Sequence, residues 1–510
     1  MTQELTGPGK SGSMDPAHND EARHSQGMTQ SGDSAMASLY TSGLPLHVTG
    51  HLAPVPDEID ALDLPVEGAL PPELVGRLLR NGPNPLPGEP SRHWLVGHGM
   101  LHGIRLENGR ATWYRNRWVR TKAFANRTTG QTTYDSDGDI DRTAVEANTS
   151  VIAHAGKIFT LIESGLPHVM TPELETLGVS DFDGRLKTSM TAHPKVDPVT
   201  GELHFFGYGV RPPFLTYHKL SASGELVTSA AIDVPGPTMM HDFAITEKHA
   251  VFLDLPLTLN LKRADEPLPY DWDESYGARI GIMPLESPGQ VRWYEVEPSF
   301  VFHVGNAHTD ATGRVVLDGA RYAGADVARA WKGVGNPIAG TGIPGHPDPE
   351  GPAAAAASTG MARLHRWVLD PATGKVTETT LDDRGIEFPT IDDDRVGRIS
   401  RYRYAVSGGG PLATAIVKLD ADAGVVAEHE LGPDVVASEA VFVPSAGPGR
   451  AEDDGWLLSI ASRRDGGGSK LLVLDATDVG GQPVASVTLP RRVPTGFHGT
   501  WITDQELERP

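Results

Sequence analysis

The chain has 510 residues, a net charge of −22 and no cysteine. The charge argues against nucleic acid as a partner and against broad attraction to an anionic membrane. The lack of cysteine excludes disulfides, thiolate metal sites and cysteine nucleophiles.

Hydrophobic residues make up 39%, enough for a real core, and Gly 58 with Pro 41 favours frequent turns over long helices. No run of about 18 apolar residues occurs, so no span is predicted, and the N-terminus lacks a signal-peptide core. The default compartment is the cytoplasm. Residues 1–45, rich in Gly, Ser, Asp, Gln and Thr without apolar period, read as a disordered extension. Residues 46–510 read as one domain.

From Leu70 onward the chain alternates short apolar runs with turns. Ala111 to Arg120 follows the turn signal Asn108-Gly109, and Lys157 to Ile162 follows Gly156. Leu203 to Tyr208 follows Asp197-Pro198-Val199-Thr200-Gly201. The same turn chemistry returns at Asp310 to Arg314 and at Asp370 to Lys375. Runs rich in Val, Thr and aromatics between Asp, Pro and Gly are hairpin signals. An all-β chain of this texture is a sandwich, barrel or propeller, and length favours the propeller. Helix is expected only in short pieces, such as 326–331 and the alanine run 353–357.

Four histidines share one setting, beside a strand-like run: His193, His241, His303 and His498. The chain has 20 histidines, and most are core or surface residues; His98, His102, His204 and His308 are near-misses that physics alone does not exclude. The four lie too far apart for a local metal motif. They suit a site whose ligands come from different sheets, as around a propeller axis. Four imidazoles without cysteine suit iron, copper, nickel or zinc.

Several longer motifs narrow this. Leu79-Arg80-Asn81-Gly82-Pro83-Asn84-Pro85, Gly97-His98-Gly99-Met100-Leu101-His102-Gly103 and Tyr114 to Thr121 resemble the N-terminal signature of the carotenoid cleavage oxygenases. Ala147-Asn148-Thr149-Ser150-Val151, Met239-Met240-His241-Asp242-Phe243, Phe302-His303-Val304-Gly305-Asn306 and Gly496-Phe497-His498-Gly499 continue the resemblance in order. It covers residues 50–505. It implies a seven-bladed β-propeller, with a cap of loops and short helices over an axial non-haem Fe(2+), one per chain. The implied ligands are His193, His241, His303 and His498. Behind them it places Glu163, Glu387 and Glu439, with Ala440 where family members often have Pro. Thr149 matches the residue beside the open iron site. A ligating His usually gives its second N–H to a carboxylate. Three Glu for four His leave one ligand, His193, to be oriented otherwise.

The implied reaction is cleavage of a conjugated double bond by O2 into two carbonyl products, with no nicotinamide or flavin. Family members act on carotenoids, apocarotenoids or hydroxylated stilbenes. Stilbene cleavers carry a Lys before the first Glu and a Tyr in the stretch corresponding to Arg115-Asn116-Arg117-Trp118. Here those positions are Ile162 and Trp118, which suit a hydrophobic polyene; a stilbenoid or phenylpropenoid is the alternative. A polyene enzyme is expected to touch a membrane peripherally, and a monomer is the expected state. The run Leu253 to Arg263 offers two readings: an exposed apolar patch with a basic end, or a buried strand entering a loop.

Overall fold

Turn chemistry decides where the strands begin. Asn108 and Gly109 both take positive φ, 50° and 70°, the conformation that joins two strands without splaying them. Gly99–Glu107 therefore returns directly as Arg110–Trp118. Strands at Leu203–Tyr208 and Val315–Ala323 likewise follow their turns, and Arg363–Leu369 is joined to Val376–Thr390 through the Asp370 turn.

The computed structural model describes residues 46–508, apart from 92, 137–139, 264, 265, 267, 325, 326, 328–360 and 409–412. The extension at 1–45 and most of the helix candidate at 326–331, with the alanine run at 353–357, lie outside the described residues. The complete α-helices among the described residues are Lys122–Asn126 and Asp504–Glu508. No described helix is long and apolar enough to cross a membrane.

The strands form antiparallel meanders taken in chain order. Gly76–Pro83, Gly99–Glu107 and Arg110–Trp118 make the first. Four-stranded sheets follow, opening at Ser150–His154, Lys195–Val196 and Ala244–Ile245. Next comes a seven-stranded sheet opening at Ser299–Thr309. Its middle strand, Val376–Thr390, pairs early with Arg363–Leu369 and late with Tyr402–Ser407, so it serves two meanders. The last meander runs from Val435–Ala437 to Ala485–Thr488. Two pairings join the ends of the fold. Gly499–Thr503 lies against Gly76–Pro83, and Val66–Gly68 lies against Ala485–Thr488.

The core is divided into layers between successive sheets. Leu79, Leu101, Val151 and Ile158 fill the gap between the first and second meanders. Phe159, Leu161, Leu203 and Phe205 fill the next, then Phe206, Tyr217, Phe252 and Met283. Val251, Ile280, Leu317 and Trp367 follow, then Leu364, Ile386, Ala405 and Val417. Tyr404, Ile416, Leu457 and Leu474 precede the last layer. That layer, with Leu458 and Val473 against Leu78 and Ile104, returns to the first meander. Alternation along each strand sends side chains to the layers on its two faces. Burying both faces explains the dense apolar runs.

The run Leu253 to Arg263 does not form one exposed patch. Leu253, Leu255 and Leu257 are buried at 3%, 2% and 1% exposure, whereas Leu261 is 64% exposed. Its first half is sheet core, and only its end reaches solvent beside Lys262.

Candidate metal centre

Each of the four histidines sits at the inner edge of a different sheet. His193 lies just before Lys195–Val196, and its backbone N–H donates to Thr191 Oγ1 at 3.2 Å. His241 lies just before Ala244–Ile245. His303 is within Ser299–Thr309, where the register slips on both sides of Val304. Such irregularities re-aim side chains. His498 precedes Gly499–Thr503, and its carbonyl accepts Asn81 N–H at 2.9 Å. A Cβ on Gly496 would stand 2.8 Å from the Asn81 carbonyl oxygen and 2.9 Å from Gly82 Cα. Only glycine lets this segment approach the Gly76–Pro83 strand so closely.

The ligand nitrogens of the four rings all lie within 4.8 Å of one another. His193 Nε2 and His241 Nε2 are 3.0 Å apart. Three of the four outer nitrogens face carboxylates: His303 Nδ1 to Glu387 at 2.6 Å, His498 Nδ1 to Glu439 at 2.9 Å, and His241 Nδ1 to Glu163. Each pair fixes a tautomer that leaves Nε2 bare and pointing inward. His303 Nε2 is buried without a hydrogen-bond partner. His193 has no carboxylate partner among the described residues. A metal–imidazole bond is about 2.0–2.1 Å, so two ligands of one ion stand at most about 4.2 Å apart. The cluster is close to that span, and its converging bare nitrogens are a donor set for one divalent ion.

Electrostatics agree with ligation at His193 and His303. Burial, followed by the neighbouring imidazoles, holds His193 and His303 neutral, well below the ordinary histidine range. Metal ligation requires that form. Burial also opposes charge on His241, but Glu163, with help from Asp242 and Glu387, raises its pKa. Burial pushes Glu387 up to about 7, against the lowering effect of its hydrogen bonds from Tyr322 and the Phe388 amide.

The carboxylates are themselves held. Tyr208 donates to Glu163, and Tyr322 donates to Glu387 at 2.5 Å. Gly499 N–H donates to Glu439 at 2.8 Å. Phe388, in the left-handed region at φ 53°, stacks on the His303 ring at 4.8 Å. Neither tyrosine is legible as a site residue in the sequence, because only the fold brings either beside its glutamate.

A cavity of about 410 Å³ opens onto the rings. Trp94, Ile162, Met239, Phe302 and Phe497 line it, with Thr149, Tyr208, Tyr270 and Glu146 among its polar groups. Thr149 Oγ1 donates to Asn148 Oδ1 at 3.1 Å, and its carbonyl accepts His498 N–H at 3.3 Å.

Trp118 is not brought to the cavity. It packs with Val55 and Met100, and its indole N–H donates to the Asn84 carbonyl at 2.9 Å. Its strand lies two places out from Gly76–Pro83, so the first meander's own N-terminal segment covers it. It is therefore not a lining residue. The near-miss histidines have partners elsewhere or lie outside the cluster. His98 faces Glu89 at 3.1 Å, His102 pairs with Tyr114 and His204 with Tyr217. His308 lies outside the four-ring group.

Comparisons with known proteins agree with this geometry. A family model described as retinal pigment epithelial membrane protein matches residues 52–503. The carotenoid cleavage oxygenase of Mycobacterium tuberculosis is 36% identical over 511 aligned positions, covering 89% of this chain and 97% of its own. The crystal structure of a lignostilbene dioxygenase from Pseudomonas brassicacearum superposes with a TM-score of 0.76 at 28% identity, covering 90% of this chain and 99% of its own. A cobalt-substituted apocarotenoid oxygenase from Synechocystis gives 0.74 at 27%, covering 90% and 98%.

Proposed function

Because the chain belongs to the carotenoid cleavage oxygenase family, we propose that this dioxygenase uses iron(II) and O2 to split a conjugated double bond of a carotenoid or apocarotenoid into two carbonyl products. The observation that carries the reading is the convergence of His193, His241, His303 and His498 beside the cavity. One Fe(2+) per chain would be held by those four rings. Bound there, it supplies the site at which O2 is reduced by the alkene. The reaction balances without another reductant: both oxygen atoms enter the product carbonyls.

The chain's own groups bind, orient and exclude water. Glu163, Glu387 and Glu439 hold three imidazoles in one tautomer. Thr149 is placed at the cavity by the same backbone contact that steadies His498. No general acid or base is required, and none is assigned.

For the fold we infer a seven-bladed propeller over residues 46–510. Its support is the sequence of core layers, each shared by neighbouring sheets, with the last sheet packed on the first. The loops that line the cavity would form the cap.

Substrate class follows from the lining. Burying apolar surface is worth about 25 cal/mol per Å², and a polyene meets the apolar walls without losing hydrogen bonds. A buried phenol without partners loses about 1–3 kcal/mol per unsatisfied group. Ile162 at the cavity offers a phenol nothing. With Trp118 elsewhere, Ile162 carries this argument alone. Tyr208 and Tyr270 at the cavity favour the second reading, cleavage of a stilbenoid by the same chemistry. A carotenoid or apocarotenoid resides in membranes, and the exposed Leu261 beside Lys262 would be a peripheral contact for the first reading.

The test is a metal analysis followed by a side-by-side assay of a linear apocarotenal, a C40 carotenoid and resveratrol at equal iron loading, with products identified by mass. One iron per chain and polyene cleavage are expected. Fast resveratrol cleavage with no polyene turnover would select the second reading, and absence of stoichiometric iron would remove both.

A further inference from the structure

Asp242 has entered so far only through its field on His241, yet its carboxylate touches more ligand-bearing segments than any glutamate does. Its side chain is 3% exposed. Oδ1 accepts from Lys195 Nζ at 2.7 Å and from the Phe243 amide at 2.7 Å. Oδ2 accepts the Val304 amide N–H at 2.8 Å. Lys195 is two residues beyond His193, and Val304 directly follows His303. Asp242 itself follows His241. One carboxylate is thus bonded to three of the four segments that carry rings.

The bond to Lys195 answers a specific need. Three rings are oriented by glutamates at their outer nitrogens, and His193 is not. Its strand, Lys195–Val196, is only two residues long and makes a short ladder with Leu203–Tyr208. Such a ladder fixes position weakly. The Lys195–Asp242 ion pair sits mostly out of water, with the lysine side chain 21% exposed. A pair so shielded from solvent holds its partners far better than a surface pair does.

We propose that Asp242 is a positioning residue that sets His193, His241 and His303 in register around the metal, with Lys195 as its arm to His193. The proposal rests on the four-histidine metal reading. It adds to that reading the device that places the ligand without a carboxylate.

The test uses full-length protein stripped of metal and titrated with Co(II), whose visible absorption reports coordination. Asp242→Asn keeps an oxygen for the Val304 amide and removes the charge that holds Lys195. Lys195→Met removes the other half of the pair at a partly exposed position and leaves every backbone contact of Asp242 in place. Both are expected to weaken cobalt binding about 10- to 100-fold, the usual cost of losing an outer-layer partner. Both should change the cobalt spectrum in the same way. The double variant should be no worse than the worse single, because the two changes break one link. A purely structural role would lower the melting temperature without this shared spectral change. Wild-type affinity and spectrum in Lys195→Met, or additive losses in the double variant, would overturn the proposal. A failing metal reading shows itself separately: wild-type protein would show no specific cobalt binding, or His303→Ala would bind cobalt as tightly as wild type.

Discussion

Tyr322→Phe removes one oxygen atom from the outer layer of the site and leaves the ring in place. Tyr322 is 8% exposed and meets Phe302 edge-on at 5.7 Å, so the ring is held by packing and not by its hydroxyl. The hydroxyl donates to Glu387 Oε1, while Oε2 accepts His303 Nδ1 and the Phe388 amide at 3.0 Å. A hydrogen bond to a charged group is worth about 1.5–3 kcal/mol, or roughly one to two pKa units at 1.36 kcal/mol each. Glu387 already stands at about 7 in the metal-free protein, and loss of the phenol raises it further. The proton occupies Glu387 below its pKa, so iron affinity should fall as pH drops through that value. In Tyr322→Phe the midpoint of this loss should move up by about one to two units. At pH 7 the affinity should be about 10- to 100-fold weaker, recovering toward pH 9. Competition with a chelator across pH measures both. Glu387→Gln cannot titrate and should lack this pH dependence. An unchanged midpoint and affinity in Tyr322→Phe would refute the argument.

His303→Ala should lose iron and cleavage, whereas His308→Ala should keep both; iron retained in the first would point to His308. Glu163→Gln keeps an acceptor for His241 and Tyr208, so iron content per chain should fall less than in Glu163→Ala. In the metal-free protein, Glu387 at about 7 binds its proton more tightly folded than unfolded. Its contribution to stability is therefore fully present below the ordinary carboxyl range and withdrawn as pH rises through 7, by at most roughly 3 kcal/mol. Urea unfolding of metal-free wild type against Glu387→Gln should show this slope in wild type only. Ile162→Lys should lower apocarotenal turnover and raise binding of resveratrol, measured by fluorescence quenching; no change in either would show that Ile162 does not set selectivity.

Strand texture and turns were legible because each rests on local chemistry, and the four histidines that converge were legible through the motifs that surround them. Asn108-Gly109 demands positive φ, and Gly496 and Gly499 flank His498 where backbones meet. Trp118 was misplaced because motif matching gives a position in the chain and not a depth in a sheet; the strand's place in the strand order decides that. The Leu253 to Arg263 run was ambiguous for a related reason. Leucines at alternate positions look the same whether a second sheet covers them or solvent does. Tyr208, Tyr322 and Asp242 escaped notice because their partners are set by how sheets converge, and no spacing in the chain encodes that.

The outer layer also explains how three carboxylates are tolerated in a region almost closed to water. An isolated buried charge is costly and is avoided by protonation or pairing. Glu163, Glu387 and Glu439 each accept from one imidazole; the Tyr208 phenol also donates to Glu163, the Tyr322 phenol and the Phe388 amide to Glu387, and the Gly499 amide to Glu439. Arg80, 4% exposed, adds a positive charge whose field reaches Glu439, and it is anchored by the Pro494 carbonyl in the segment leading to His498. Asp242 is neutralised by Lys195. A divalent ion among the four neutral rings would bring the sum of metal, Arg80 and three glutamates to zero. Without the ion the same set carries excess negative charge, and burial, which raises Glu387 to about 7, lets that carboxylate take up a proton near neutral pH. A divalent ion held by the four rings would thus balance the charges placed around it.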